Sequence, residues 1–456
     1  MENETIIPEL NNETFNRELL KVAVPIVIQQ LIMVCVNLAD TVMVGKLSEY
    51  ALAAVGAANQ IYFVVIDCVF GFLSGCAVFA VQYWGIRDLK ALRKILGIAY
   101  VMVVAFTIPM VAVIYFFAPQ LIGIFAKEAE VVLLGTEYIR IACFTYLIAG
   151  FTFIISYYSR AIALLKWPTV INAFAVGLNV ILNYCLIFGK FGLPELGVKG
   201  AAYATLIARS IELVSVMLYV YLSKNHPLGA KLKDLKFDIT LYVRVVKTAL
   251  PVVLNEFLWV LSFTLTFAIY GKISAVALAV VQVAMTITDI FQTIYVGLSN
   301  GGAVVIGQAL GQGKRDLAFS YSKRLVNISW VTNILTTVLL ILIRGSIASI
   351  YSFEPETTTL LLRTLVVFAL AITPKMFTFV FICGIFRPGG DTMWCFYLDV
   401  GLNWLLQVPL AYLSVVVLKW PLEYCIALVA LADLVKAVFC YVRLYSKKWI
   451  NVFTGR

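Results

Sequence analysis

The stretch "GLNVILN" at residues 177–183 returns 224 residues later as "GLNWLLQ" at residues 401–407. Both copies place carboxamide side chains inside runs that are otherwise almost entirely apolar. A polar motif repeated over so long a distance predicts a chain that is built from two related halves.

Composition places the chain among integral membrane proteins. Of its 456 residues, 62% are hydrophobic and 13% are charged, whereas soluble proteins have about a quarter charged residues. The nine cysteines all lie in apolar runs without a CxxC motif, so we expect buried thiols and no disulfide framework. The single histidine, His226, excludes a histidine-rich metal site. No catalytic constellation is found, so we predict that the protein is not an enzyme.

Apolar runs of about 20 residues are long enough to cross a bilayer as helices. Twelve such runs occur, near residues 17–44, 51–82, 95–118, 133–158, 168–188, 200–222, 243–270, 277–307, 322–343, 360–386, 393–417 and 422–445. The sequence therefore predicts an all-α membrane protein with twelve spanning helices.

The basic residues predict the orientation of these spans. If the N-terminus is cytoplasmic, 23 of the 35 lysines and arginines lie in cytoplasmic segments or at the adjoining span ends. That skew follows the positive-inside rule and predicts cytoplasmic termini in the plasma (inner) membrane. The net charge of +10 is thus a topology signal, and we expect no nucleic-acid partner.

A second internal alignment, at an offset of 226 residues, supports the repeat. Residues 25–85 align with residues 251–311 without a gap, with 18 identities in 61 positions. Six spans separate the copies, so the halves have the same orientation and are related by a pseudo-two-fold axis along the membrane normal. We predict two six-helix bundles, at residues 1–222 and 243–456, joined by a cytoplasmic linker at 223–242. The GxxxG motifs at Gly71/Gly75 and Gly297/Gly301 predict close helix packing.

Ionisable groups inside spans are costly and usually face a partner or a water-filled cavity. Counted from the span ends, four polar residues share one depth in the outer half of the N-terminal bundle: Asp40, Asn179, Asn183 and Thr205. In span eleven, Asp399, Asn403 and Gln407 lie on one helix face. Asp433 and Lys436 have the spacing of an ion pair on span twelve. Interhelical hydrogen bonding is the structural alternative for the asparagines.

The two halves of the repeat do not have acidic residues at equivalent positions. Asp40 aligns with Thr266, and Glu256 aligns with Gln30. Because each half has its own acidic residue, the pattern favours a division of labour between an ion site and a substrate cavity.

Several segments resemble the multidrug and toxic compound extrusion (MATE) transporters over nearly the whole chain. They are "NLADTVMVGKLSEYALAAV", "GLNVILNYCLIF", "GVKGAAYATLIA", "ALPVVLNEFLW" and "GGAVVIGQALGQG". The resemblance implies an antiporter that expels organic cations and drugs, driven by protons or sodium. It also implies that the coupling-cation site comprises Asp40, Asn179, Asn183 and Thr205, which would be metal ligands only if sodium is the ion.

We therefore expect a secondary transporter in the lipid bilayer that exports cationic amphipathic compounds by alternating access. We expect it to function as a monomer and to need no cofactor, with H⁺ or Na⁺ as the coupling ion. The residues expected to line its substrate cavity are Glu256, Trp259, Asp289, Asp399 and Asn403. The alternative is a flippase for lipid-linked oligosaccharides, which would be expected to carry many basic residues within its spans.

Overall fold

The computed structural model describes residues 14–125, 128–223, 226–350 and 353–454. These residues are overwhelmingly helical, and no strand occurs in the described ranges. The first half contains α1 (Phe15–Gly45), α2 (Glu49–Gly85), α3 (Leu89–Phe116), α4 (Ala118–Ile122), α5 (Ala129–Ala142), α6 (Phe144–Ala161), α7 (Lys166–Phe188) and α8 (Val198–Leu222), followed by a 3₁₀ turn at Leu232–Leu235. The second half contains α9 (Ile239–Tyr270), α10 (Ala275–Gly311), α11 (Arg315–Ile350), α12 (Pro355–Phe379), α13 (Thr392–Leu402), α14 (Val408–Tyr412) and α15 (Leu422–Ser446).

The twelve predicted spans are confirmed. In the described part of the chain, eleven helices are long and apolar enough to cross a membrane, and the pair α5 and α6, bent by 43°, supplies the twelfth. Three π-helical segments, Val380–Phe386, Asn403–Gln407 and Leu413–Val417, continue α12 and interrupt the eleventh span. Such segments change the direction of side chains within a helix, and they are frequent at functional sites.

Local sequence explains where several helices begin and end. The Asp88 side chain accepts a hydrogen bond from the Ala91 amide at the start of α3, and Ser274 caps α10 in the same way through Ala277. Gly189 ends α7 in the left-handed conformation, with φ of 63°. The last of these caps ends the helix that carries Asn179 and Asn183.

The chain divides into two compact units. The first unit contains residues 28–80 and 88–253, and the second contains residues 14–27, 81–87 and 254–454 of the described chain. Each unit draws on both halves of the sequence. The domain boundaries at residues 222 and 243 stay a prediction.

In the first unit, the GxxxG motif of α2 packs against α9. A Cβ atom on Gly71 would lie 2.7 Å from the Val253 Cα atom, and one on Gly75 would collide with Ala249. Only glycine allows the two backbones to approach so closely.

In the second unit, the GxxxG motif of α10 packs against α1 in the same way. Cβ atoms on Gly297 and Gly301 would meet the backbone of Ala23 and the Leu19 residue of α1. Ala23 and Ala249 are separated by the same 226 residues as the two GxxxG motifs. The structure thus confirms the predicted close packing and shows that one helix contact is built twice.

Candidate functional site

The polar face of α7 lies in the interior of the first unit. Asn172, Asn179 and Asn183 are all buried, although their helix presents Phe174 and Ile181 as exposed side chains. Their spacing of seven and four residues places them on one side of the helix. That side packs toward α8, which follows α7 after a short loop.

Four side chains of the first unit form the Asp40 cluster, which consists of Asp40, Asn179, Asn183 and Thr205. The Asn183 Nδ2 atom donates to Asp40 Oδ1 at 2.6 Å and to Asn179 Oδ1 at 3.3 Å. The Asn179 Nδ2 atom donates to Thr205 Oγ1 at 3.3 Å. With its amide turned over, Asn179 instead donates to Asp40 Oδ2 at 3.2 Å. The structure therefore brings together all four residues of the predicted coupling-cation site; the ion itself stays a prediction.

The Asp40 cluster faces a cavity of about 430 Å³ within the first unit. The wall also includes Asn37 and, among its aromatic residues, Tyr62, Tyr138 and Tyr146. Carboxylate, amide and hydroxyl oxygens are the ligand types that suit hard cations, and they can equally exchange a proton through hydrogen bonds. The arrangement can hold one small cation beside one carboxylate.

Asp40 has no ionic partner in the described part of the chain, where no lysine or arginine nitrogen lies within 4 Å of its carboxylate. The Asn183 Oδ1 atom is also buried there without a hydrogen-bond partner. A half-buried carboxylate and a buried amide oxygen therefore lie side by side, and both can accept from a donor or a cation.

Sequence reasoning missed an ion pair in the same cavity. The Arg209 Nη1 atom lies 2.7 Å from Glu212 Oε2, and Asn172 Nδ2 donates to Glu212 Oε1 at 2.7 Å. Both Arg209 and Glu212 line the cavity. The signal available in the sequence was a pair of opposite charges three residues apart in an apolar span.

The second unit contains a different polar group, the Lys436 cluster, which consists of Asn255, Asp399, Asn403, Asp433 and Lys436. The Lys436 Nζ atom lies 2.9 Å from Asp399 Oδ1 and donates to Asn403 Oδ1 at 2.6 Å. It also lies 3.2 Å from Asp433 Oδ1, which confirms the ion pair predicted on span twelve. Asn255 Nδ2 donates to Asp399 Oδ2 at 2.9 Å.

The residues predicted to line the substrate cavity do not form one cluster. Glu256 is paired with Arg387 at 2.5 Å, a partner that the sequence did not reveal. Trp259 stacks on Phe263, with ring centroids 5.6 Å apart. Asp289 is an exposed residue of α10. The structure joins only Asp399 and Asn403 directly, at 3.3 Å, and a substrate role for the five residues stays a prediction.

Comparison with known proteins agrees with this architecture. The MatE family model matches residues 25–185 and 251–413. The chain is 25% identical over 463 residues to the uncharacterized transporter YisQ of Bacillus subtilis, covering 98% of this chain and 97% of YisQ. It is 27% identical over 297 residues to the probable multidrug resistance protein NorM of Agrobacterium fabrum, covering 64% of this chain and 63% of NorM.

Solved structures share the fold. A MOP superfamily transporter from Pyrococcus furiosus superposes with a TM-score of 0.86 at 18% identity, covering 95% of this chain and 96% of that chain. An outward-facing multidrug resistance MATE family transporter superposes with a TM-score of 0.85, also at 18% identity, covering 94% of this chain and 96% of that chain.

Proposed function

The chain belongs to the MatE family of membrane transporters, and from this premise we propose that it exports cationic amphipathic compounds, drugs included, in exchange for a monovalent cation. The names of the NorM relatives, probable multidrug resistance proteins, support drugs as the cargo. Export in this proposal proceeds by alternating access, in the plasma (inner) membrane, with both termini cytoplasmic. The skew of basic residues supports that orientation.

One observation carries the coupling proposal. Asp40 is a carboxylate in a cavity, and amides rather than a basic residue hold it. Its negative charge is therefore available to a cation that enters from solution. Glu256 and Asp399, by contrast, each have a basic residue within 3 Å.

Binding of a proton at Asp40 would change its hydrogen bonds. The ionised carboxylate accepts from Asn183 Nδ2, whereas a protonated carboxyl group becomes a donor. The Asn183 Oδ1 atom, buried without a partner in the described chain, is the acceptor that an amide rotation would offer. Such a rearrangement biases helix packing because the two protonation states favour different contacts. Export is then linked to the same equilibrium.

We propose the proton as the coupling ion, because the cluster has a single carboxylate. Sodium is the alternative, since Asp40, Asn179, Asn183 and Thr205 all carry side-chain oxygen atoms. Residues Glu256 and Trp259 are proposed to bind the cationic cargo by charge and by cation–π contact. With Arg387 beside it, Glu256 would have to exchange its partner when substrate arrives.

Dye export from liposomes tests the proposal. Purified protein is reconstituted, and efflux of a cationic dye is driven either by a proton gradient without sodium or by a sodium gradient at clamped pH. We expect full export with the proton gradient alone. Full export with sodium at clamped pH would overturn the proton assignment, and no export of any cationic dye under either gradient would overturn the function.

A further inference from the structure

An ammonium group lies where three oxygen atoms converge in the second unit. The Lys436 Nζ atom contacts Asn403 Oδ1 at 2.6 Å, Asp399 Oδ1 at 2.9 Å and Asp433 Oδ1 at 3.2 Å. An ammonium has three N–H donors, so each donor has one acceptor. Lys436 is only 3% exposed, and its charge is therefore compensated by protein atoms rather than by water.

The surrounding helices form an oxygen-lined site around that nitrogen. Asp399 and Asn403 lie one turn apart, and Asn403 begins the π-helical segment Asn403–Gln407. Asn255 of α9 donates to the second oxygen of Asp399, while its own Oδ1 atom is buried without a partner in the described chain. A buried acceptor left without a donor needs an explanation, and a bound cation is one that satisfies it.

The repeat places an ion pair of opposite polarity at the related position of the first unit. At the 224-residue offset of the repeated motif, Arg209 and Glu212 align with Asp433 and Lys436. The buried member is the acid Glu212 in the first unit and the base Lys436 in the second. Asp40 of the first unit has no ionic partner among the described residues, whereas the second unit carries a cation that is covalently part of the chain.

We propose that the Lys436 ammonium takes the place of an exchangeable monovalent cation in the second unit, so that only the Asp40 cluster exchanges ions with solution. This inference rests on the coupling role proposed above for Asp40. Carboxylate and amide oxygens bind ammonium and small cations alike, but a tethered ammonium does not leave the site. Lys436 therefore limits coupling to one site, and Lys436→Met opens a second cation site lined by Asp399 and Asp433.

The test measures cation-dependent thermal stability in an Asp40→Asn background, which removes the first site. Melting temperatures of the purified protein are compared in sodium chloride and in choline chloride of equal ionic strength, each in neutral and acid buffer. A ligand that binds only the folded state raises Tm. For Asp40→Asn/Lys436→Met we expect sodium or acid to raise Tm by about 2–4 °C. Asp40→Asn alone should not respond to sodium.

The sodium and acid buffers show whether sodium or the proton fills the second site. The variant Asp40→Asn/Lys436→Met/Asp399→Asn should lose the rise in Tm because it lacks one of the carboxylates of that site. A cooperative melt of Asp40→Asn/Lys436→Met with no response to either cation would overturn the proposal. If that variant folds only in sodium or acid, the site has been filled from solution and the proposal stands. If it aggregates in every buffer while the variant that also carries Asp399→Asn and Asp433→Asn folds, Lys436 is a fixed ion-pair partner and the proposal fails. This experiment measures melting temperature and not transport. Failure of the proposed antiport would instead be seen in the dye-export assay, so the two failures can be told apart.

Discussion

The Asp40 cluster and the Lys436 cluster lie in different units, yet both place an asparagine of the repeated motif beside a carboxylate. Asn179 belongs to the first and Asn403 to the second. In the first cluster the carboxylate accepts from an amide and has no basic residue within 4 Å in the described chain, whereas in the second an ammonium is already bound. In the proposed account, a carboxylate inside a span therefore does not by itself define an ion site. We expect ion exchange only at a carboxylate that no basic residue of the protein contacts.

The largest expected effect on stability comes from removing the ammonium. Lys436→Met should lower the free energy of unfolding by about 3–5 kcal/mol in neutral choline buffer, because it leaves buried carboxylates unpaired. Arg209→Met should cost less, about 1–3 kcal/mol, since Glu212 keeps its bond from Asn172 and adjoins a cavity that can admit water. Denaturant melts of both variants provide the measurement. Equal losses would remove the distinction between the clusters.

The duplicated glycine contact supplies the next effect. Gly75→Ala should destabilise the protein by about 1–3 kcal/mol, because its Cβ atom would meet the backbone of Ala249. Gly301→Ala should cost less, since one of the atoms it meets is the end of the flexible Leu19 side chain. Gly177→Ala, which has no atom within 4 Å of its Cβ position, is the matched control. Thermal melts that rank Gly177→Ala with Gly75→Ala would contradict the packing account.

Much of this comparison could be predicted from sequence. Apolar runs define twelve spans because the bilayer fixes the length of a spanning helix. Depth in the membrane brings Asp40, Asn179, Asn183 and Thr205 together, since it follows from the number of residues between each of them and the end of its span. The contacts that these residues make with side chains on other helices could not be predicted from the sequence. The pairing of Glu256 with Arg387 joins residues 131 positions apart and depends on how each helix is rotated about its axis.

The Glu256 pair offers a smaller, selective effect. Glu256→Gln should lower transport of cationic compounds about tenfold more than that of neutral ones, a difference of about 1.4 kcal/mol. The reason is that Arg387 would remain without its acidic partner and repel a cation. Paired efflux assays with a cationic and a neutral dye measure the ratio. An equal loss for both dyes, with a normal melt, would assign Glu256 a structural or coupling role instead.

Adding charge to the Asp40 cluster sharpens its contrast with the Lys436 cluster. Asn183→Asp should shift the preference of the Asp40 cluster from the proton toward sodium and raise its apparent affinity for sodium about fivefold. The reason is that a second carboxylate near the ion contributes about 1 kcal/mol in a water-like medium. Sodium titration of dye efflux measures the affinity. Asn172→Asp, on the same helix face but hydrogen-bonded to Glu212, is the positional control. An unchanged sodium dependence in Asn183→Asp would place the ion elsewhere.

The smallest effect is expected in the linker. A cysteine replacing Lys233, which is exposed in the 3₁₀ turn, should leave transport unchanged and react with a membrane-impermeant thiol reagent only from the cytoplasmic side. The experiment uses a background without the native cysteines. Labelling from outside intact cells would contradict the proposed orientation of both units.

The central claim is that Asp40 carries the exchangeable ion, and its neutral variant tests that claim most directly. In liposomes with an imposed proton gradient, Asp40→Asn should show no gradient-driven dye export while still binding the dye and melting cooperatively. Asp316→Asn removes a carboxylate that is 99% exposed, and it should export at the wild-type rate. Uphill export by Asp40→Asn would contradict the account, because a protein that couples without this carboxylate must exchange its ion elsewhere.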